Sequence, residues 1–203
     1  MHVPSKWAMP SLTYIHQFIR RYGFATVVTG NLDASKVPLH LVAEEGEFGT
    51  LYGHLARANE HSKEIENQLA LAIFDGPHSY ISPSWYPSAP AVPTWNYASV
   101  HVHGAVSLTD DEDTLKILKK TIEQYEPELL EKKEIINDDY VQRLLKGILG
   151  FKIIISSVSG KEKLGQHRSS SEQLAVLKHL EKTESMEELA LAEYMKKNAV
   201  GIG

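Results

Sequence analysis

Residues 53–65, GHLARANEHSKEI, put Arg57, Asn59, His61, Ser62 and Lys63 on the turn between an alternating run and a helix start. A forked guanidinium, a hydroxyl, an ammonium and the unpaired backbone N–H groups of a helix start are the donors that a phosphate group needs. The same residues serve as a polar turn whose cations are solvated and whose Ser62 caps the helix. Both readings stand on these residues alone.

A second group is aromatic. The stretch 78–104, HSYISPSWYPSAPAVPTWNYASVHVHG, holds two of the three tryptophans, three of the nine tyrosines and four of the nine prolines. Prolines pin a loop that would otherwise be loose, and Trp85, Tyr86, Trp95 and Tyr97 then offer flat faces with polar tips at low entropic cost. Ser82, Ser84, Thr94 and Asn96 interleave with the rings, as hydrogen-bonding neighbours of a planar heterocycle would. A ring-shaped ligand, a subunit interface and a flap over the core all fit this composition.

Two further groups are weaker. His101 and His103 share a strand face, but a metal would need a third ligand, from His40 or His54, so a structural or ligand-polar role is expected and no metal is predicted. The segment KEKLGQHR (161–168), with Lys163 and Gln166, could close over an anionic or heterocyclic ligand or end a strand in solvent. No serine sits in an elbow motif and no carboxylate pair has the spacing of a hydrolase. With no cysteine in the chain, thiol catalysis, disulfides and zinc–thiolate sites are excluded.

The elements that must position these groups follow from periodicity. SLTYIHQFIRRYG spaces Leu12, Ile15, Ile19 and Tyr22 as a helix that stops at Gly23. FATVVTG, SKVPLHLVAEEG, GTLYGHLARAN, LALAIFDG and SYISPSWY read as strands of an antiparallel meander, with a break at Gly76-Pro77, and HSKEIEN reads as a short helical turn. YASVHVHGAVSLTD is the longest strand signal. DEDTLKILKKTIEQY and DDYVQRLLKGILG are amphipathic helices, FKIIISSVSGKEKL returns to strand, and the tail from Ser169 reads as two peripheral helices. Many short strands with helices outside them predict a mainly β, α+β barrel.

Composition narrows the class further. At 203 residues with 42% hydrophobic and 23% charged residues, the chain is an ordinary globular one. It has 21 Lys and Arg against 26 Asp and Glu, and residues 110–145 alone carry eleven carboxylates against six cations, so specific DNA binding is disfavoured. There is no helix-turn-helix with a basic second helix. The opening MHVPSKWAMPSLTYIHQF lacks the basic-then-apolar pattern of a leader, and no run approaches membrane-spanning length, so a cytoplasmic protein with no membrane partner is expected.

VPLHL, GHLARAN, YISPSWYPS, VPTWNY and KLGQHR, in this order, resemble the PaiB family of FMN-binding negative transcriptional regulators, over residues from about 1 to 180. The resemblance implies a six-stranded antiparallel split barrel at 1–168 with helices inserted at about 111–149, a helical appendage at 169–203, and a homodimer with FMN bound between subunits. RANEHSK matches the segment that holds the flavin phosphate in other split-barrel flavoproteins. The implied cofactor residues are Arg57, Asn59, Ser62, Lys63, Trp85, Thr94, Trp95, Asn96, Lys163 and Gln166. The implied function is repression of sporulation and degradative-enzyme genes, acting indirectly. The alternative is a flavin-dependent oxidoreductase of the pyridoxamine-phosphate-oxidase-like or flavin-reductase-like kind, or a haem-handling relative. The family's last motif runs closer to KLSQNR, and here Gly165 and His167 replace its Ser and Asn.

Overall fold

A computed structural model describes residues 1–203, the side chain of Asp138 aside. The strands are β1 (Phe24–Thr29), β2 (Ala34–Pro38), β3 (His40–Val42), β4 (Thr50–Ala56), β5 (Leu69–Ile81), β6 (Thr94–Leu108) and β7 (Ile148–Lys163). The helices are α1 (Leu12–Arg21), α2 (Asp111–Tyr125), α3 (Asp138–Leu145), α4 (Ser170–Leu180) and α5 (Met186–Asn198). The strands form one sheet in the order β2-β1-β5-β6-β7-β4-β3. Alternation does what period two requires: β1 buries Ala25, Val27 and Thr29 and leaves the residues between them more open.

The strands number seven, where the family resemblance implied six. SKVPLHLVAEEG, expected as a single run, divides at Leu39. Its first half pairs with β1 (Val37 opposite Ala25) and its second with β4 (Leu41 opposite Leu51). The expected break at Gly76-Pro77 is absent, because β5 runs unbroken from Leu69 to Ile81. The pairing of β1 with β5 ends at Ile73, so Pro77 falls where one side of the strand carries no β1 partner and a missing N–H is tolerated. The longest strand is β7 at 16 residues, one more than β6, which the sequence had ranked first.

The chain divides into two compact units, His16–Phe74 with His101–Val158, and Met1–Ile15 with Asp75–Val100 and Ser159–Gly203. In the first, β2 and β3 stand at opposite ends of the sheet order yet are separated in the chain by Leu39 alone. A sheet whose two outermost strands are so joined must curl into a barrel. Its interior is filled by Val27, Val37, Leu41, Leu51, Phe74, Val102, Phe151 and Ile153, each at most 3% exposed. A Cβ on Gly53 of β4 would meet Leu39 Cδ2 at 2.7 Å, Phe151 Cζ at 3.1 Å and Val37 Cγ1 at 3.2 Å. A larger residue there would have to displace Leu39 and press on Phe151 and Val37.

α2 and α3 belong to the same unit. Asp110 caps α2 by accepting from Asp113 N at 2.8 Å, and Asn137 caps α3 by accepting from Tyr140 N at 2.9 Å. In the other unit, Ser169 and Glu172 form a capping box at the start of α4. Leu180 of α4, Leu191 and Met195 of α5 and Leu164 are at most 1% exposed there. Among the described residues, no helix is long and apolar enough to cross a membrane.

Candidate functional site

The last residues of β7 read Lys161-Glu162-Lys163, and strand alternation sends the two cations to one face and the carboxylate to the other. Glu162, 3% exposed, accepts from Tyr14 Oη of α1 at 2.8 Å and from Tyr194 Oη of α5. Burial, and then the hydrogen bond to Glu162, push the Tyr194 hydroxyl well above the usual phenol range.

On the opposite face the lysines meet aromatic rings. Lys161, 8% exposed, lies 5.4 Å from the centre of the Trp7 ring and 5.3 Å from that of Tyr97. Lys163 lies 5.9 Å from the Trp7 ring, donates to Trp95 O at 2.8 Å and also donates to Thr94 Oγ1. Lys6 adds a third ammonium, 4.6 Å from the Trp7 ring. Neither Lys161 nor Lys163 has an ion pair among the described residues. Burial and then the neighbouring Lys161 hold the Lys163 ammonium below its ordinary pKa. The buried Trp7 Nε1 and Arg168 Nε lack a hydrogen-bond partner among the described residues. A patch of one buried lysine, one half-buried lysine and the exposed Lys6, walled by rings, suits an anionic, planar ligand.

Trp95 is 53% exposed, and its ring lies 6.2 Å from those of His78 and Tyr80. An open groove of about 400 Å³ runs beside it, lined by Asp75, Gly76, His78, Tyr97 and Ala98. Trp85 is committed elsewhere: it stacks on His179 of α4 with centroids 5.2 Å apart and planes 10° apart. Tyr86 lies 4.4 Å from the Arg168 guanidinium, and Ser88 Oγ donates to Glu172 at 2.8 Å. That bond, and those from Ser169, hold the Glu172 carboxyl below its usual range. The proline-pinned loop is thus moored at two points to α4 and at a third to Arg168, just before it.

Gln166 spends its amide on the turn after β7, donating to Glu162 O at 2.7 Å and accepting from Leu164 N at 2.8 Å. Gly165 has φ +86°, a left-handed conformation that glycine adopts without strain. His167 meets Trp7 edge-on at 6.0 Å, and burial, followed by Arg168, Lys6 and Lys163, lowers its pKa. Asn96 is buried beside this turn, where a Cβ on Gly165 would come within 3.9 Å of its Nδ2.

Arg57, Asn59, Ser62 and Lys63 come together in the barrel unit, at the end of β4. The expected helix start is a 3-10 turn of four residues, Glu60–Lys63. Ser62 Oγ donates to Asn59 O at 2.7 Å and Arg57 O at 3.1 Å, so its hydroxyl secures the turn. Asn59 accepts from His61 N at 3.1 Å and donates to Ser35 Oγ at 3.0 Å. Lys63 pairs with Glu60 at 2.7 Å on the surface, and Arg57 is exposed. The buried His61 ring bridges Thr29 Oγ1 and Ser35 Oγ, each at 3.0 Å.

Of the residues named from sequence, Thr94, Trp95 and Lys163 therefore meet directly, while Asn96 and Gln166 flank the turn beyond them. Trp7 and Lys6 were missed. Their segment has no periodicity, and the one signal was a lysine adjoining a tryptophan. Among the described residues, no group of three or more His, Cys, Asp or Glu could hold a metal ion.

The architecture, an antiparallel sheet with peripheral helices, is also that of the flavocytochrome Anf3 from Azotobacter vinelandii (TM-score 0.63, 16% identity, 81% of this chain and 73% of that one). The FAD and haem binding protein from Mycobacterium smegmatis is similar too (TM-score 0.60, 13% identity, 77% and 73%). At these identities the likeness is one of fold, and it is the split-barrel class expected from the motifs. Residues 1–157 match the family described as "Putative FMN-binding domain", and the chain belongs to that family. The Bacillus subtilis (strain 168) protein "Protease synthase and sporulation protein PAI 2" is 32% identical over 204 residues, 96% of each chain. The PaiB resemblance drawn from five short motifs thus extends along nearly the whole chain, and the cofactor class in the family's description is FMN.

Proposed function

We propose that the protein binds FMN and that its regulatory output, of the kind the name of PAI 2 carries, depends on that ligand and not on direct reading of DNA. The observation that carries the flavin is the Lys161–Lys163 pair, one buried and one half-buried, without a carboxylate partner among the described residues and set against Trp7, Tyr97 and the Trp95 backbone. An anionic isoalloxazine is what such a patch favours, since a cation beside the ring tunes its electronics. Arg57 and Lys63 are the proposed phosphate ligands, with Ser62 and Asn59 holding their turn. Thr94, Trp95 and Lys163 are the proposed ring contacts, which Trp85, Asn96 and Gln166 support through the loop and the turn.

Indirect action rests on charge. The helical segment 110–145 is acidic, and the basic groupings are short. A direct reader with six or more phosphate contacts would lose affinity about a thousandfold between ~50 and ~200 mM salt. Visible absorption during an FMN titration tests the ligand: saturable binding with shifted flavin bands is expected, and a protein that leaves free FMN unchanged overturns the proposal. An electrophoretic shift at about 150 mM salt, with flavin present and absent, tests the output. A tight, sequence-selective complex, which for a specific reader holds at about nanomolar affinity, would restore direct repression.

A further inference from the structure

Lys161 is the one lysine or arginine that is buried among the described residues. It is 8% exposed, lies against the rings of Trp7 and Tyr97, and has no carboxylate partner there. The Trp7 ring beneath it carries a second unanswered group at its edge, the buried Nε1–H, which meets no acceptor among the described residues. The other charges at this spot have the same sign. Lys163 is half-buried, Lys6 stands 4.6 Å from the Trp7 ring, and after burial it is Arg168, Lys6 and Lys163 that lower the pKa of His167. The carboxylates of this region are engaged elsewhere: Glu162 turns to the opposite face, toward Tyr14 and Tyr194, and Glu172 accepts from Arg168, Ser88 and Ser169.

Oxidised and reduced FMN bring different charges to such a patch. The oxidised isoalloxazine is neutral. Two electrons and one proton convert it to a reduced ring whose N1 is deprotonated near neutral pH, with the negative charge spread along the N1–C2 carbonyl edge. A neutral carbonyl can accept from both donors, but only the anion also offsets an ammonium held out of water. We propose that Lys161 and the Trp7 indole N–H hold this edge and make the site selective for the reduced flavin anion, so that its occupancy reports the redox state of the flavin. The inference rests on the reading that the site takes FMN. Charge assistance roughly doubles the strength of each hydrogen bond, so with two donors reduced FMN binds at least about tenfold more tightly than oxidised FMN. For a two-electron couple that ratio raises the midpoint potential of the bound flavin by at least about 30 mV.

Spectroelectrochemical titration of the full chain loaded with FMN, beside free FMN in the same buffer at neutral pH, is the experiment. The expected result is a midpoint at least about 30 mV above that of free FMN, and a bound reduced form whose absorbance shows N1 still deprotonated at a pH where free reduced FMN is protonated. Trp7→Phe, which keeps a ring and removes the donor, should lose part of the rise. Lys161→Met, which keeps an apolar stem between the rings, should lose most of it. Should Lys161→Met fail to fold, the wild-type potential, the absorbance and Trp7→Phe decide alone. A midpoint at or below that of free FMN, in a protein that binds oxidised FMN saturably, overturns this inference and leaves the FMN reading standing. A rise that both substitutions leave unchanged does the same. Binding of FMN in neither redox state overturns both readings.

Discussion

Tyr194 of α5 donates its hydroxyl to Glu162 of β7, and Tyr14 of α1 donates to the same Oε1, so one buried carboxylate ties two helices to one strand. A hydrogen bond to a charged group contributes about 1.5–3 kcal/mol when it is buried. Tyr194→Phe is therefore expected to lower unfolding free energy by about 1.5–3 kcal/mol, and Glu162→Gln, which keeps an acceptor at that position, by less. Urea unfolding of both variants measures this. Equal, negligible losses would mean that apolar packing of α5 alone anchors it.

Arg57→Ala and Lys63→Ala are expected to weaken FMN by about 1.5–3 kcal/mol each, through loss of charge-assisted contacts to phosphate. Riboflavin, which has no phosphate, should be nearly indifferent. Parallel fluorescence titrations of the two ligands separate the roles, since matching losses for both would assign these residues to the turn's structure.

Lys163 gives a pH signature. Its ammonium is held below the ordinary 10.5 by burial and by Lys161. Protonated Lys163 favours an anion, so FMN affinity should fall as pH rises, beginning below the pH at which a free lysine titrates. Lys163→Gln should flatten that decline, with the flavin's own titration read from its absorbance alone. A decline of the same slope in the variant would remove Lys163 from the ring contact.

Much of this arrangement was legible before any coordinates. All five helices exist where apolar spacing put them, because a stripe such as Leu12, Ile15 and Ile19 has one reading, but α3 stops at Leu145, and Ile148, expected on its apolar face, opens β7 instead. The strand count was not, since the division at Leu39 depends on β1 and β4 lying second from opposite ends of the sheet, a tertiary fact that no local pattern encodes. Gly76-Pro77 misled for a related reason: proline ends a strand only where its missing N–H is needed, and the extent of β1 decides that. At the site, Lys163 and Trp95 were legible by type, whereas Ser62 and Gln166 carry ligand-like groups that turn out to be spent on their own backbone.

Four histidines set the acid limit of the fold. Burial lowers the pKa values of His40, His54, His61 and His167 from the ordinary 6.5. As pH falls through 6.5, the unfolded chain takes up protons that the folded chain resists, so stability is full above that pH and declines below it until the folded values are passed. Glu172 and Glu187, with lowered carboxyl values, add a loss of the same sign only below about 4.5. Melting temperature should drop between pH 7.5 and 5.5, and His61→Gln should reduce that drop while costing about 1–2 kcal/mol at pH 7.5 for the Thr29 and Ser35 bonds. A melting temperature constant across this range would contradict the reading.

The single residue between β2 and β3 also constrains the order of assembly. Hairpin β1–β2 can form as soon as it leaves the ribosome, but β4 pairs with β7, which begins at Ile148, and the ring of strands cannot shut until that residue is made. Loop closure over such a separation is slow to nucleate. During synthesis, the backbone edge of β4 that later faces β7 stays open to other chains, and Gly53, beside which Leu39, Val37 and Phe151 all pack, has its last neighbour only at the final step. Replacing Gly53 would leave early hairpins intact and strand the chain just short of closure, a state whose remedy is dilution or a chaperone and not a stabilising ligand.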